Sequence, residues 1–373
     1  MGRTPPRAID WSTAQRIGEL IAGSPPYGGV WGGGAQPLAH DFARRVSDYT
    51  GLRLPTELPP LEMVDRPGWI AANLLTMRPL LDPLIDRLGT GDDGPLSGPA
   101  RAVSGHLLGA QLGAVTGMLS QRVLGQYDVS LLDDSAPPRL LLLAPNLTGA
   151  ARTLGVDREE LIAWVAIHEV THAVQFSGAP WLRKHLGEML RELLAGLQIG
   201  PAGGGGSRST QEGDSSSSWT DDLRELLDRA RGGGELRTLI DRARRGELLR
   251  ITLGDERWQL VERMQATMSL IEGHAEHTMD AVGADVLPTL ERLRAAMTRR
   301  RASRGLPWRV LERVLGLELK MRQYEAGRRF CDAVVRAGGP ELLAVAWRSP
   351  EELPSAAELA EPELWVGRIR VPA

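Results

Sequence analysis

Residues 165–174, VAIHEVTHAV, have the residue types and the spacing that could do metal chemistry. His168 and His172 are four residues apart, so on a helix both imidazoles lie on one face, one turn apart, and can reach one ion. Zinc binds imidazole nitrogen readily, and its tetrahedral coordination leaves room for further ligands. Glu169 is offset by about 100° from His168 around the helix. From there it could take a proton from water that the metal activates.

The residues that surround this motif are uncharged, as a buried active-site helix requires. An accidental match on a solvated helix would usually carry charged residues at these positions. The alternative is a buried helix whose histidines bond to ordinary partners, and the pattern favours the metal site.

A third protein ligand is expected, because two histidines alone rarely make a durable zinc site. Glu272 is the preferred candidate, since it lies within the apolar stripe of a predicted helix, where an unpaired carboxylate would be costly. The metal would be its partner, and an ion pair with Arg263 or Arg322 is the alternative. Three further candidates for the third ligand are Glu188, Glu192 and His185.

Further residues near Glu272 could support the site. Glu276 lies one turn on and could accept an N–H from a metal-bound histidine. His274 and His277 could bind substrate or stabilise an oxyanion, or could be surface histidines on the far side of the same helix. Tyr324 could stabilise charge that develops near the zinc, or could belong to a solvated helix face.

The composition is that of a globular protein of 373 residues, with 42% apolar residues, 24% charged residues and a net charge of −3. This balance gives no electrostatic reason to expect nucleic acid or an anionic membrane as partner. A peptide or protein substrate is expected from the metal motif. The lone Cys331 excludes an internal disulfide framework and a Cys-rich zinc site. No signal peptide is evident at the N-terminus, and a cytoplasmic location is expected.

A glycine appears at every fourth position of residues 103–119, at Gly105, Gly109, Gly113 and Gly117. Such a bare stripe on a helix lets another helix approach closely, in a membrane or in a soluble core. The segment is shorter than the roughly 20 residues that a membrane span needs. The soluble core helix is therefore favoured over the membrane.

The run RLLLLAPN at 139–146 is apolar without interruption up to Pro145. Its length favours a strand, and the proline closes this strand or marks an edge. Residues 139–144 could be an edge strand to which a peptide adds by backbone pairing, and a buried central strand is an equal alternative. Asn146, at the end of the run, is a candidate for substrate contact.

The predicted fold is mainly α-helical, with a small β-sheet beside the active-site helix. Asp157 can cap that helix and Glu160 can complete a capping box, and the helix should end near Gly178. Other helices are predicted at 11–22, 40–50, 68–88, 103–119, 220–231, 255–282, 288–301 and 309–337. The chain is predicted to be a single domain, 1–373. Its parts are a helical part at 1–100, the active-site helix region at 101–199, a flexible Gly/Ser-rich loop at 200–218, and the second-ligand and C-terminal helices at 219–373.

The segments HEVTHAVQF, SLIEGHAEHTMD and LGLELKMRQYEAGRRF together resemble the zincin-like metallopeptidases found mainly in actinobacteria. One branch of that family is associated with biosynthesis of a deazaflavin coenzyme. The shorter segments RPGW, VLGQYD and LAPN extend the resemblance over most of the chain. It implies a zincin fold and peptidase activity, with zinc at His168 and His172, Glu169 as base and Glu272 as third ligand. The sequence departs from the gluzincin arrangement at Glu276, where Asp is more usual.

Together these observations predict a zinc-dependent hydrolase, a metallopeptidase with its cleft between the His168–His172 helix and the Glu272 helix. The alternative is a non-enzymatic protein that keeps the fold and is stabilised by zinc or binds a peptide. A structural site fills all four coordination positions with protein groups, whereas a catalytic site leaves one open. His274 as a fourth ligand would favour the alternative.

Overall fold

The structure is a computed structural model that describes residues 9–23, 35–89, 99–133, 135–195, 255–302 and 317–370. These residues form a mainly α-helical fold with a three-stranded sheet, as the sequence predicts. The predicted loop at 200–218 and the predicted helix at 220–231 lie outside the described residues. The single-domain organisation stays a prediction.

The elements up to residue 195 include the three strands of the sheet. They are α1 (Trp11–Ala22), α2 (Ala35–Thr50), β1 (Leu61–Val64), α3 (Arg66–Gly89), α4 (Pro99–Ser120), β2 (Gly125–Asp128), β3 (Arg139–Leu143), α5 (Ala144–Leu154), α6 (Arg158–Gly178) and α7 (Trp181–Ala195). The sequence analysis did not predict β1, β2, α5 or α7.

The elements from residue 255 onward are helical. They are α8 (Asp255–Val286), α9 (Leu290–Ala302), α10 (Leu317–Ala344), two short 3-10 helices (Val345–Trp347 and Pro350–Glu352), α11 (Ala356–Ala360) and α12 (Pro362–Arg370). Within α10 the backbone leaves helical geometry at Gly338 and Gly339, where the sequence predicted the helix to end.

The central strand of the sheet is β3, which runs parallel to β1 and antiparallel to β2. Its four leucines, 140–143, are fully buried. Leu140 and Leu142 pack into the larger core with α6, while Leu141 and Leu143 pack into a second core with α1 and α3. Burial on both faces explains the uninterrupted apolar run. The edge-strand interpretation of 139–144 was therefore wrong, and the central-strand alternative is confirmed.

Pro145 lies in the first turn of α5, so the chain passes directly from β3 into a helix. Proline is tolerated there because the first backbone N–H groups of a helix have no intrahelical acceptor. The strand closes before Pro145, as predicted. The helix that follows was not predicted.

The glycine stripe of α4 packs against the backbone of α1. A Cβ atom at Gly113 would lie 2.2 Å from the carbonyl oxygen of Ala14, and one at Gly109 would lie 2.4 Å from the carbonyl oxygen of Asp10. The close helix approach is thus confirmed, with α1 as the partner. Among the described residues, no helix has both the length and the apolar character needed to span a membrane.

Of the two capping interactions that the sequence predicted for α6, one is present and the other is not. The side chain of Asp157 accepts a hydrogen bond from the backbone N–H of Glu160, as predicted. The carboxylate of Glu160 does not return to the cap. It accepts hydrogen bonds from the backbone N–H of Thr289, at 3.1 Å, and from the Thr289 hydroxyl. The predicted capping box was wrong because the Glu160 carboxylate accepts hydrogen bonds from Thr289, just before α9, and not from the backbone N–H of Asp157.

Gly113→Ala should destabilise the protein, because the new methyl group would collide with the backbone of α1 and not with a flexible side chain. We expect a loss of about 1–3 kcal/mol in the free energy of unfolding, measured by urea denaturation. Gly149→Ala in α5 is the matched control, since nothing lies within 4 Å of a Cβ atom there. That variant should gain about 0.5–1 kcal/mol from helix propensity. Equal effects of the two substitutions would contradict the close packing of α1 and α4.

Candidate metal centre

Three side chains that the sequence singled out meet between α6 and α8. The Nε2 atoms of His168 and His172 are 3.2 Å apart. An oxygen of Glu272, Oε2, lies 3.6 Å from the Nε2 of His168 and 3.8 Å from that of His172. Atoms roughly 2.0–2.2 Å from a tetrahedral metal ion are roughly 3.3–3.6 Å apart. These three atoms therefore have the spacing and the chemistry of a shared metal site.

The same three residues form the one group of three or more His, Cys, Asp or Glu side chains, within the described ranges, that could hold a metal ion. The other candidates for the third ligand lie elsewhere on α7. Glu188 is exposed and pairs with Lys184 at 3.8 Å, and the ring of His185 packs against that of Trp181. Neither these residues nor Glu192 belongs to the group.

The three side chains of the candidate centre differ in exposure to solvent. The side chain of His172 is 9% exposed, whereas those of His168 and Glu272 are 21% and 26% exposed. Burial lowers the pKa of His172 to about 4. Burial also disfavours protonation of His168, but the Glu272 and Glu169 carboxylates outweigh it and raise the pKa of His168 to about 9. Without a metal ion, His168 therefore carries a proton that metal binding would release.

Glu169 lies beside this group and is held by the sheet. Its Oε2 accepts a hydrogen bond of 2.7 Å from the backbone N–H of Tyr127, on the edge strand β2. The residue is 6% exposed, and burial raises the pKa of Glu169 to about 7. A Cβ atom at position 125 would lie 2.7 Å from the Oε1 of Glu169, so glycine at 125 leaves the space that this carboxylate occupies.

The edge strand that reaches Glu169 is fixed on both sides. The ring of Tyr127 packs against that of Phe176 on α6, with centroids 5.6 Å apart. The neighbouring Gln126 exchanges two amide hydrogen bonds of 3.2 Å with Asn73 on α3. These contacts set the position of the Tyr127 backbone N–H relative to α6.

The helix that carries Glu272 is in backbone contact with α10. A Cβ atom at Gly273 would lie 2.1 Å from the carbonyl carbon of Gly327. One at Gly327 would lie 1.9 Å from the carbonyl oxygen of Ser269. Tyr324 precedes Gly327 by one turn on α10, but its side chain lies outside the described residues. The role expected of Tyr324 stays a prediction.

Glu276 lies within electrostatic reach of the centre, because its charge contributes to the raised pKa of His168. The hydrogen bond that the sequence predicted is not formed to either histidine. The Nδ1 of His168 is buried without a hydrogen-bond partner in the described part of the chain. The Nδ1 of His172 is bonded to Gln175, at 2.8 Å from its Oε1.

Gln175 is the residue that the sequence analysis missed. It is fully buried, and its amide nitrogen lies 2.9 Å from the carbonyl oxygen of Ile271 and 2.9 Å from the Nδ1 of His274. The available signal was its position three residues after His172, which puts it on the same face of α6.

The predicted substrate contact of His274 does not fit its place in the structure. His274 is 2% exposed, accepts from Gln175 and packs its ring edge against Trp347, with centroids 4.9 Å apart. It is therefore neither a surface histidine nor a fourth member of the candidate metal group. His277 bonds to Tyr49 at 2.7 Å and to Asp332 at 2.6 Å, so it too is not a solvated surface residue.

The predicted substrate contact of Asn146 is also not supported, because its side chain is used within the fold. Its Oδ1 accepts a hydrogen bond of 2.9 Å from Arg66. Its amide donates to the carbonyl oxygens of Ser120, at 2.7 Å, and Val123, at 2.6 Å. The residue is 5% exposed and ties the start of α5 to the end of α4.

Comparison with known proteins agrees with this geometry. Residues 9–366 match the family described as zincin-like metallopeptidase. The chain belongs to this family. It is also similar to a crystal structure from Chloroflexus aurantiacus, described there as a presumed hydrolase with a novel fold. The two chains share 27% identity and a TM-score of 0.68, over 98% of this chain and 100% of the other. No match was found among the curated proteins.

Membership of the zincin-like metallopeptidase family confirms the resemblance that the sequence motifs indicated. It also confirms the mainly helical fold with a small sheet, in which β2 borders the helix of His168 and His172. The actinobacterial range and the coenzyme-associated branch stay predictions.

Glu169→Gln should change how the stability of the metal-free protein depends on pH. Between the ordinary value of 4.5 and the raised pKa of about 7, folded Glu169 holds a proton that the unfolded chain has lost. Its contribution to the free energy of unfolding therefore falls as pH rises through this window, by roughly 3 kcal/mol in total. Glutamine does not titrate, so the difference between the two proteins should show this fall. Chemical denaturation with a chelator measures it, and a flat difference from pH 4.5 to 7 would refute the raised pKa.

Proposed function

We propose that this protein is a zinc-dependent peptidase, in which His168, His172 and Glu272 hold the metal and Glu169 is the general base. The observation that carries the proposal is the meeting of three ligand atoms between α6 and α8, with a buried carboxylate beside them on α6. Membership of a zincin-like metallopeptidase family and similarity to a presumed hydrolase support it.

The donor set suits zinc in a catalytic role. Two imidazole nitrogens and one carboxylate oxygen are a combination that catalytic zinc sites use, with the fourth position left for water or substrate. Within the described residues the group has three members, and His274 is engaged by Gln175. This arrangement favours a catalytic site over the alternative of a structural zinc that is closed by four protein ligands.

In the proposed reaction, Glu169 would accept the proton of the attacking water. When bound, zinc supplies a Lewis acid that polarises the scissile carbonyl and lowers the pKa of water. Because the Tyr127 N–H binds Oε2 of Glu169, we assign to Oε1 the role of accepting a proton from the attacking water and passing it to the leaving amine. In the metal-free protein burial raises the pKa of Glu169 to about 7, and a bound cation would lower it and favour the carboxylate form that accepts a proton.

An extended peptide is the substrate that the sheet is suited to bind. Since β3 is central, it offers no open edge for the pairing that the sequence analysis considered. The strand β2 is an edge strand, and its residues Gly125 and Tyr127 border Glu169. We place the substrate along β2, where backbone pairing would bring a scissile bond close to the base.

Purified wild-type protein should contain about one zinc ion per chain. Glu272→Ala removes one of three ligands and should lower retained zinc severalfold or more after dialysis, measured by elemental analysis. Glu188→Ala is the control, because this exposed carboxylate pairs with Lys184 on α7. Full zinc occupancy in Glu272→Ala would remove this residue from the ligand set, and wild-type protein without zinc after reconstitution would refute the metal centre.

Glu169→Gln should retain zinc and lose hydrolysis. Glutamine keeps an acceptor for the Tyr127 N–H but cannot take a proton, so we expect a fall in kcat of at least about 100-fold. Cleavage of a fluorogenic peptide library by wild-type and variant protein, each with its zinc content measured, tests this. Cleavage at the wild-type rate by zinc-loaded Glu169→Gln would exclude Glu169 as the base.

A further inference from the structure

Gln175 connects the two helices that supply the candidate ligands. It lies on α6 with no exposed surface, and its amide reaches three groups. These are the Nδ1 of His172, at 2.8 Å, the carbonyl oxygen of Ile271, at 2.9 Å, and the Nδ1 of His274, at 2.9 Å. Two of the three lie on α8, on either side of Glu272. The amide therefore contacts the candidate ligand His172 on α6. It also contacts Ile271 on α8, which directly precedes the candidate ligand Glu272.

The carbonyl group of Ile271 determines which way the amide points. A carbonyl oxygen can only accept a hydrogen bond, so the atom of Gln175 that faces it must be the NH2 nitrogen. The atom that faces His172 is then Oε1, which can only accept. The Nδ1 of His172 must therefore carry the proton.

This tautomer leaves the Nε2 of His172 without a proton, with its lone pair available to a metal ion. That nitrogen is the atom that lies 3.2 Å from the Nε2 of His168 and 3.8 Å from the Oε2 of Glu272. The other N–H of the Gln175 amide goes to the Nδ1 of His274, whose ring is fixed against Trp347. Every hydrogen of the amide thus has an acceptor, and a flipped amide would set its oxygen against the Ile271 carbonyl oxygen.

We propose that Gln175 is a positioning residue of the metal centre: it holds His172 in the Nδ1–H tautomer and ties α6 to α8 beside Glu272. This inference rests on the proposed metal centre, in which Gln175 touches no metal and no substrate. Gln175 acts indirectly. It orients the ring of His172, and it holds the backbone of Ile271 and so helps to position the next residue, Glu272.

Two substitutions at position 175 separate positioning from simple structural support. Gln175→Glu keeps an acceptor for the His172 Nδ1–H but faces the Ile271 carbonyl with an oxygen. Gln175→Leu removes every polar contact. Thr171→Val is the matched control on α6, because the hydroxyl of Thr171 is fully buried and donates a hydrogen bond of 2.7 Å to the carbonyl oxygen of Ile167 on the same helix. Zinc affinity is measured by competition with a chromophoric chelator, and stability by denaturation of the metal-free proteins.

We expect affinity and stability to change independently. Gln175→Leu should bind zinc 10- to 100-fold more weakly, about the usual effect of losing a group that orients a metal-binding histidine. Gln175→Glu should be less stable than wild type when metal-free and should bind zinc at least as tightly, since an anionic acceptor raises the basicity of His172. Thr171→Val should lose stability and keep wild-type zinc affinity.

A second measurement needs no metal and no variant at position 175. Nitrogen-15 NMR spectra of the metal-free wild type, with His172 assigned by His172→Asn, should show Nδ1 protonated and Nε2 bare. An Nε2–H tautomer would overturn the inference, even if Gln175→Leu does not fold. Zinc affinities that simply follow metal-free stability across the set would also overturn it. Wild-type protein that binds no zinc would refute the proposed function instead, and the tautomer would still test the role of Gln175.

Discussion

Burial of the helix that carries the histidines is the constraint on which the rest of the structure depends. Glu169, His172 and Gln175 on α6 are each less than a tenth exposed. A buried polar group without a partner costs free energy, so each of the three must find one inside the protein. Glu169 finds a backbone N–H of β2, and Gln175 joins His172 to the backbone of α8. The hydrogen-bond partners of these buried side chains therefore also border the candidate centre.

Close approach of helix backbones is the second feature that shapes the molecule. At Gly113 the helix α4 reaches α1, and at Gly273 and Gly327 the helices α8 and α10 reach each other, in each case where a Cβ atom would collide with backbone. The second contact lies next to Glu272, so it limits how that residue can move. Dispersion contacts and excluded water stabilise such interfaces, and they leave little freedom for adjustment.

The charges of the candidate centre explain why it suits a cation. Three carboxylates, of Glu169, Glu272 and Glu276, act on the imidazole of His168 and favour its protonated form. The proton on His168 balances part of that negative charge in the metal-free protein. A divalent cation would supply the same compensation more strongly and would leave both imidazoles neutral, as coordination requires. The same burial raises the pKa of Glu169 to about 7 in the metal-free protein.

The sequence by itself determined that His168 and His172 share one face of their helix, because a spacing of four residues puts two side chains on the same helical face in any fold. It also indicated that the buried carboxylate of Glu272 needed a partner and that the glycine stripe needed a close neighbour. Only the tertiary structure decided which carboxylate joins the histidines, that β3 is central, and that Gln175 faces Ile271, 96 residues away. The physical reason is that local periodicity records which face of an element is buried, while contacts between distant segments depend on how all the elements pack together.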